Sequence, residues 1–489
     1  MRRRGLVAIS TLLLAIGLTT SAHSDPVSAD PPLAARLHAE GRWLVDDAGR
    51  VVLLHGVNNV DKYAPFVTLN DGFTLNAQDA ALLARHGFNT VRLGVEFAGM
   101  MPQRGVIDTA YLDRVKTVVD LLGTEGIRVL IDHHQDSMSS VFLGGNGFPA
   151  WAVTHKPLPN EPDVGWPLNS ATMASLNLSW TSFWNNKQGV VDLLGDAFTA
   201  LATTLRGDPA ILGYEVINEP WPGTVWPTCV PAGCPLFDRR FQAVHQRLTD
   251  RLHQGDPGAL VFWEPNVLWN ELVRTHIDEP PVTPKVTSND IVFSFHDYCS
   301  FSEGAIYLGL PPALKATCDV QHDAMYLNYD GFAKRSKLPA MVTEFGGTSD
   351  AEVVARTMPR ADKRFLGWHF WHYQSSFPPS APARPDPFTG DLGRQLVRTY
   401  PRATAGIPGA MTYDATNGAF AYSYATRPST VPTEIYVSDV QYPDGYRVAL
   451  TGACALSAPG DRLLLLKATP GALGVSVTVT AGTGAWPGC

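Results

Sequence analysis

The chain lacks a basic stripe: 38 Lys and Arg stand against 46 Asp and Glu, for a formal net charge of −8. That excludes the electrostatic footprint of a nucleic-acid binder. Its 6 cysteines never form a Cys-x-x-Cys pair, so a structural zinc site, the rival reading of those cysteines, lacks its usual ligand frame. No glycine-rich phosphate turn stands near the start, which weighs against a doubly wound open sheet. Beyond the first residues no apolar run approaches the length of a membrane span. No internal repeat or low-complexity tract is evident.

What is present begins with Met1-Arg-Arg-Arg4, an apolar stretch over residues 6–18, and Ser21-Ala-His-Ser24. A basic region, an apolar core and small residues in that order read as a secretory signal peptide cleaved near Ser24. The apolar stretch is too short and interrupted for a membrane span. No Cys follows it, so no lipoprotein anchor is indicated, and the three arginines are compatible with twin-arginine export. In an exported chain six cysteines suggest disulfides. They fall in local couples, Cys229 with Cys234, Cys299 with Cys318 and Cys454 with Cys489. Nearest-neighbour pairing is one of fifteen connectivities.

From residue 41 strand and helix signals alternate. Residues 42–45 and 51–54 flank the turn 46–49 as a hairpin, whose second arm runs into a first strand ending at Asn59. Further strands are expected at 90–95, 128–136 (a strand and its exit), 212–219, 260–263, 291–296, 340–344 and 365–371. Helical spacing occupies 76–86, 111–125, 190–205, 237–254, 321–336 and 351–360, with a last helix at 392–399. Such alternation predicts an α/β chain built as a (β/α)8 TIM barrel. Two long loops, 137–187 and 222–235, carry Phe142, Phe148, Trp151, Trp166, Trp180, Trp184 and Trp226. Both follow strands and belong at the mouth of such a barrel. After residue 400 short strands separated by turns read as a C-terminal β-sandwich. The expected division is therefore 1–24 signal peptide, 25–400 barrel and 401–489 β-sandwich.

Two stretches carry chemistry. Leu212-Gly-Tyr-Glu-Val-Ile-Asn-Glu-Pro220 is a buried strand running to Glu219, since Pro220 cannot donate to a ladder. Pro339-Ala-Met-Val-Thr-Glu-Phe-Gly-Gly347 is a second one, ending in Glu344. Two carboxylates on different strand ends are what glycoside hydrolysis needs: one protonates the leaving oxygen, and the other attacks the anomeric carbon or activates water.

Asn218-Glu219-Pro220 and Thr343-Glu344-Phe345-Gly346 resemble the acid/base and nucleophile strands of clan A retaining glycosidases, family five in particular. The resemblance implies Glu219 as acid/base and Glu344 as nucleophile. It implies Arg92 beside the nucleophile, holding it ionised. Asn218 would donate to the sugar 2-hydroxyl, and His134 would bind sugar hydroxyls. His296 would serve the acid/base, Tyr298 would donate to the nucleophile, and Trp371 would form the sugar platform.

Asp132-His-His-Gln-Asp136, Gly144-Gly-Asn-Gly-Phe-Pro-Ala-Trp151, Tyr400-Pro-Arg-Ala403 and Pro432-Thr-Glu-Ile-Tyr436 are similar to the endoglycoceramidases. That resemblance implies cleavage between an intact oligosaccharide and ceramide, with Lys62 on a sugar hydroxyl and Asp136 as its polar partner. Two positions depart from the pattern: His133 replaces the usual Met, and Trp371-His-Tyr-Gln374 replaces small residues and Asp. They leave glucosyl and galactosyl preference both open at the cleaved linkage. A soluble β-glucan or β-mannan endoglycosidase is the alternative, and a non-catalytic glycan-binding barrel the third reading. No cofactor or metal is implied. The expected partners are the glycosphingolipid or oligosaccharide substrate and a peripheral membrane contact, and the chain is expected to act as a secreted monomer.

Overall fold

The computed structural model describes residues 33, 35–69, 71–299, 317–379 and 381–489; the expected signal peptide lies outside them. Eight strands run β1 (His55–Asn59), β2 (Thr90–Val95), β3 (Arg128–His133), β4 (Ile211–Glu215), β5 (Val261–Trp263), β6 (Ile291–Asp297), β7 (Ala340–Gly346) and β8 (Gly367–Trp371). Each pairs in parallel with its neighbours, and β8 returns to β1, closing the barrel. The strands are buried nearly throughout, as a parallel sheet covered on both faces requires. Leu54, Leu130, Leu212, Leu260, Val292 and Met341 form one apolar cluster, and Leu37 and Leu44 from the N-terminal segment join it.

Helices separate most of the strands. Ala77–Arg85 opens with Asn76 accepting from the Gln78 and Asp79 amides, while the Asp79 carboxylate accepts from the Asn76 amide. This reciprocal cap satisfies donors that a helix start leaves open. Thr109–Thr124, Val190–Thr204, Pro235–Gly255, Cys318–Ser336 and Ala351–Asp362 match expected helices within a few residues. The last helix is shifted, spanning Gly390–Leu396 rather than 392–399.

Two antiparallel sheets follow the barrel. One of four strands orders Gly406–Tyr413, Phe420–Thr426, Gly474–Ala481 and Tyr446–Thr451. The other has seven strands and recruits the N-terminal hairpin: Val51–Val52 pairs with Tyr400–Thr404. The hairpin expected from sequence therefore forms, but its partner lies some 350 residues away. The cysteines pair as three local couples, Cys229–Cys234, Cys299–Cys318 and Cys454–Cys489.

Two expectations need correction. Strand β4 stops at Glu215, not Glu219. After Val216 bonds the Phe262 carbonyl, the Asn218 amide turns to the His133 carbonyl, and Glu219 adopts a φ of 44°. The stretch 137–187 is not all loop either, since it folds a helix over Ala174–Trp184. Ser175, Leu176, Asn177, Ser179, Trp180, Ser182, Phe183 and Trp184 are all buried there, so no polar face marks the helix in the sequence.

The barrel meets the C-terminal sheets at Gly87, which has a φ of 75°. A Cβ there would stand 2.5 Å from the Tyr436 ring. The Tyr436 hydroxyl donates to the Arg85 carbonyl, and the Tyr400 hydroxyl to the Gly87 carbonyl. Gly87→Ala should lower unfolding stability by about 2 kcal/mol or more, combining a left-handed alanine with an overpacked ring. Urea unfolding checks this; a loss within about 0.5 kcal/mol, the scatter of neutral surface substitutions, would show the junction to be soft.

Candidate active site

The residues singled out from the sequence meet at the carboxyl end of the barrel, joined through shared contacts. At the centre is Arg92 on β2, fully buried. Its Nη1 donates to Glu344 Oε1 at 2.5 Å and to Asn58 Oδ1 at 2.9 Å. Nε donates to Glu215 Oε2 at 2.5 Å, and Nη2 to Asn218 Oδ1 at 2.8 Å. Asp132 Oδ1 lies 2.9 Å from Nη2. Burial alone would lower the Arg92 pKa, but Asp132, Glu215 and Glu344 outweigh it and raise it well above the usual value.

Glu344, on β7, also accepts from the Tyr298 hydroxyl at 3.0 Å. Glu219 has a different setting. Its Oε1 lies 2.9 Å from His296 Nδ1, and its backbone amide donates to Glu264 Oε2 at 2.9 Å. It forms no ion pair with a lysine or arginine among the described residues. Burial, then the charge of Asp136, pushes the Glu219 carboxyl up to about 7, against the pull of His134, Lys62 and Arg92. One carboxyl thus sits in an ion pair while the other is held near neutrality, the division that separates a nucleophile from a proton donor.

A second group lies beside this pair. Lys62 Nζ is 2.5 Å from Asp136 Oδ2 and 4.7 Å from the centre of the Trp371 ring. The His134 ring stacks on Trp371 at 5.4 Å, with Nδ1 2.7 Å from Asp132 and Nε2 3.7 Å from Asp136. Burial would lower the His134 pKa, but Asp132 raises it to about 9, so the ring is cationic at neutral pH. Burial would raise Asp136, yet Lys62 and His134 hold it well below the usual carboxylate range. Asn218 spends one amide hydrogen on the Gln135 carbonyl, leaving the other for a ligand.

The His133 departure is explained by strand alternation. His133 points away from Asp132 and His134, hydrogen-bonds the Val216 carbonyl, and lies against Phe97, Phe148 and Phe198. His372, the other departure, stays at the site: its ring stacks on Phe73 and lies against Trp371.

Sequence reasoning missed Glu264, Glu215 and Asn58, and assigned no role to Asp132. Glu264 had a readable signal, because Phe262-Trp-Glu-Pro265 is another apolar strand ending in Glu-Pro. Glu219, Glu264 and His296 bring donor atoms within 4.8 Å of one another, a spacing a cation could share. A hydrogen bond between Glu219 and His296 already uses that space.

Comparison with known proteins places this geometry in context. The family described as Cellulase (glycosyl hydrolase family 5) matches residues 45–376, and the glycoside hydrolase family 5 C-terminal domain matches residues 398–480. Endoglycoceramidase I of Rhodococcus hoagii is 51% identical over 432 residues, covering 88% of this chain and 86% of that protein. The ganglioside GM3 complex of endo-glycoceramidase II from Rhodococcus sp. superposes with a TM-score of 0.74 at 26% identity, covering 91% of this chain and 100% of that one. The lactosyl-enzyme intermediate of the same enzyme gives a TM-score of 0.73 at 26% identity, covering 90% of this chain and 100% of that one.

With its pKa raised to about 7, Glu219 should be neutral in mild acid and lose its proton as the pH passes that value. Infrared difference spectra of the protein minus Glu219→Gln should show a protonated-carboxyl band that fades through about pH 7. No such band above about pH 5, just past the ordinary carboxylate range, would overturn the assignment.

Proposed function

We propose, from the premise that the chain belongs to glycoside hydrolase family 5, that it is a secreted, retaining endoglycosidase releasing intact oligosaccharide from the ceramide of glycosphingolipids. The observation that carries the substrate class is the 51% identity to endoglycoceramidase I over 88% of this chain. The basic, apolar and small-residue order at the N-terminus supports secretion.

Retention is supported by spacing. His296 Nδ1 is 2.9 Å from Glu219 Oε1 and 3.6 Å from Glu344 Oε2. Those oxygens can be no farther apart than the two lengths laid end to end. That reaches only the lower edge of the roughly 6.5–9.5 Å an inverting pair needs to admit water. The lactosyl-enzyme intermediate of the similar endo-glycoceramidase II agrees with this reading.

In the proposed reaction Glu344 attacks the anomeric carbon while Glu219 protonates the oxygen leaving with ceramide. Arg92 and Tyr298 hold the two Glu344 oxygens in place. The free Asn218 amide hydrogen faces the 2-hydroxyl, a bond that strengthens as the anomeric carbon gains positive charge. Lys62, Asp136, His134 and Trp371 receive the sugar next to the cleaved bond. Once Glu344 is esterified, Glu219 as carboxylate takes a proton from water, and the water displaces Glu344.

A ceramide leaving group needs apolar surroundings, since each buried methylene is worth about 0.8 kcal/mol. Leu143, Val164, Trp166 and Leu168 are exposed on the loop after β3, and Val225 and Val230 on the loop after β4. Lys62 Nζ lies 5.9 Å from the Trp166 ring, so this rim adjoins the sugar site. Such a surface suits a lipid aggregate or membrane face.

Incubation with glycosphingolipids and soluble β-glucans, with identification of both products, tests the reading. Free ceramide plus intact oligosaccharide is expected; β-glucan cleavage without ceramide release would replace it. Glu344→Gln should abolish turnover of every substrate. Glu219→Gln should slow glycolipid cleavage by about 10²–10⁴-fold, yet spare glycosylation by an aryl glycoside whose leaving group needs no proton. Equal loss on both substrates would reverse the roles. Leu143→Ser with Val164→Ser should reduce cleavage of vesicle-bound glycolipid several-fold and leave a soluble aryl glycoside unaffected; equal rates on both would remove the rim from substrate access.

A further inference from the structure

Glu264 follows β5 and is 2% exposed. It pairs with no lysine or arginine among the described residues; the nitrogen recorded near it is His296 Nε2, 3.6 Å from Oε1. Its Oε2 accepts the Glu219 amide at 2.9 Å. A proton carried by Glu264 therefore belongs on Oε1, aimed at His296. On the other side of the same ring, Nδ1 is 2.9 Å from Glu219 Oε1 and 3.6 Å from Glu344 Oε2. His296 Nε2 is buried and has no hydrogen-bond partner, the Glu264 Oε1 contact at 3.6 Å lying just beyond hydrogen-bond length.

We propose that Glu264 is a positioning residue for the acid/base: as a neutral acid it donates to His296 Nε2, which fixes the imidazole hydrogen on Nδ1 facing Glu219 Oε1. The inference rests on the acid/base role given to Glu219 above. Two consequences follow from the geometry. Glu219 Oε1 always meets a donor, so the transferable proton is confined to Oε2. The opposite tautomer would present an Nδ1 lone pair to both Glu219 Oε1 and the ion-paired Glu344, and would draw the Glu219 proton onto the oxygen that faces His296. During the reaction the Oε2 proton passes to the glycosidic oxygen, and water later returns one to Oε2; the Glu264 and His296 protons stay in place.

The surroundings favour this protonation state. Burial, then Glu215 on β4 and Glu219, pushes Glu264 well above the usual carboxylate range, against the pull of Arg92 on β2 and of the Glu219 amide. Burial also lowers His296 to about 3, against Glu344 and Asp132 and with Arg92 and His134, so the ring is a neutral imidazole with one hydrogen to place.

The test begins with the unmodified protein carrying ¹⁵N-histidine, with His296→Asn used for assignment. The His296 nitrogens should show the Nδ1–H tautomer at neutral pH; an Nε2–H tautomer overturns the proposal. Glu264→Ala should lower kcat/KM on glycolipid by roughly 30-fold, part of the 10²–10⁴ that a placed general acid supplies. It should change glycosylation by a dinitrophenyl glycoside by less than about threefold, because that leaving group needs no proton. Glu264→Gln keeps an amide hydrogen for His296 and a carbonyl for the Glu219 amide, so it should recover most of the loss. A Gln variant as slow as Ala would mean that the charged carboxylate is required. Equal loss on both substrates would mean a structural role. Either result overturns the proposal. If the unmodified protein released no sugar from any glycolipid, the substrate reading would fall, and the tautomer measurement would still decide this one.

Discussion

A single buried guanidinium organises the centre of this barrel. Arg92 ties Glu344 on β7, Glu215 on β4 and Asp132 on β3 to β2, and reaches Asn58 on β1 and Asn218 beyond β4. Removing such a charge while its partners stay buried is costly, because each acid is then left without compensation. The planar fork matters as much as the charge. A lysine would offer one point of attachment, whereas arginine fixes several acceptors in one plane. The position of Glu344 is therefore set by the same contacts that hold strand ends together.

The surrounding acids divide according to the cations available. Arg92, His134 and Lys62 are the positive groups of the cluster, and they face Asp132, Asp136, Glu215 and Glu344. The remaining acids, Glu219 and Glu264, are both displaced toward their neutral forms, with burial as the largest cause. A buried site cannot ionise more acids than its cations can balance. The proton on Glu219 is thus a property of the whole cluster. Its backbone reflects the same constraint. A non-glycine residue at a φ of 44° costs of order 1–2 kcal/mol, and the Glu264 carboxyl receives the amide that this turn removes from the ladder.

Much of this was legible because strands and motifs are local. Continuous apolar runs broken by glycine or proline marked the eight strands, and Asn218-Glu219 and Glu344 stood at their ends. What escaped was set by contacts distant in sequence. The 212–219 run looked like one strand because Val216 and Ile217 are as apolar as a strand core; only the Glu219 amide finding the carboxylate of Glu264, just beyond β5, explains the turn. The N-terminal hairpin was visible, but its pairing of Val52 with Ala403 was not. His133 looked like a change in the sugar site, and strand alternation turns it into the aromatic layer instead. Glu264 repeated a pattern already recognised at Glu219, but without a second carboxylate to compare, a Glu-Pro strand end reads as an ordinary loop cap.

The aromatic residues at the mouth show how composition misleads about exposure. Their abundance after β3 suggests an open apolar channel, yet most of them serve each other. Phe148, Trp180, Phe183 and Trp184 form a continuous set of edge and stacked contacts that reaches Phe237 and Phe241 on the helix Pro235–Gly255. Trp221 is also committed: its indole donates to Asn177, and its carbonyl accepts from the Trp184 indole. These rings hold the two long loops rigidly against the barrel. The apolar surface left to solvent is smaller and mostly aliphatic, with Trp166 as its aromatic member. That division of labour is physically sensible. Large rings gain most from full burial and give a loop a defined shape. A rim that must meet variable acyl chains needs apolar area without a fixed shape, which Leu and Val supply. Rigidity beneath and compliance above are both encoded by the loop after β3, through which residues are buried rather than how apolar they are.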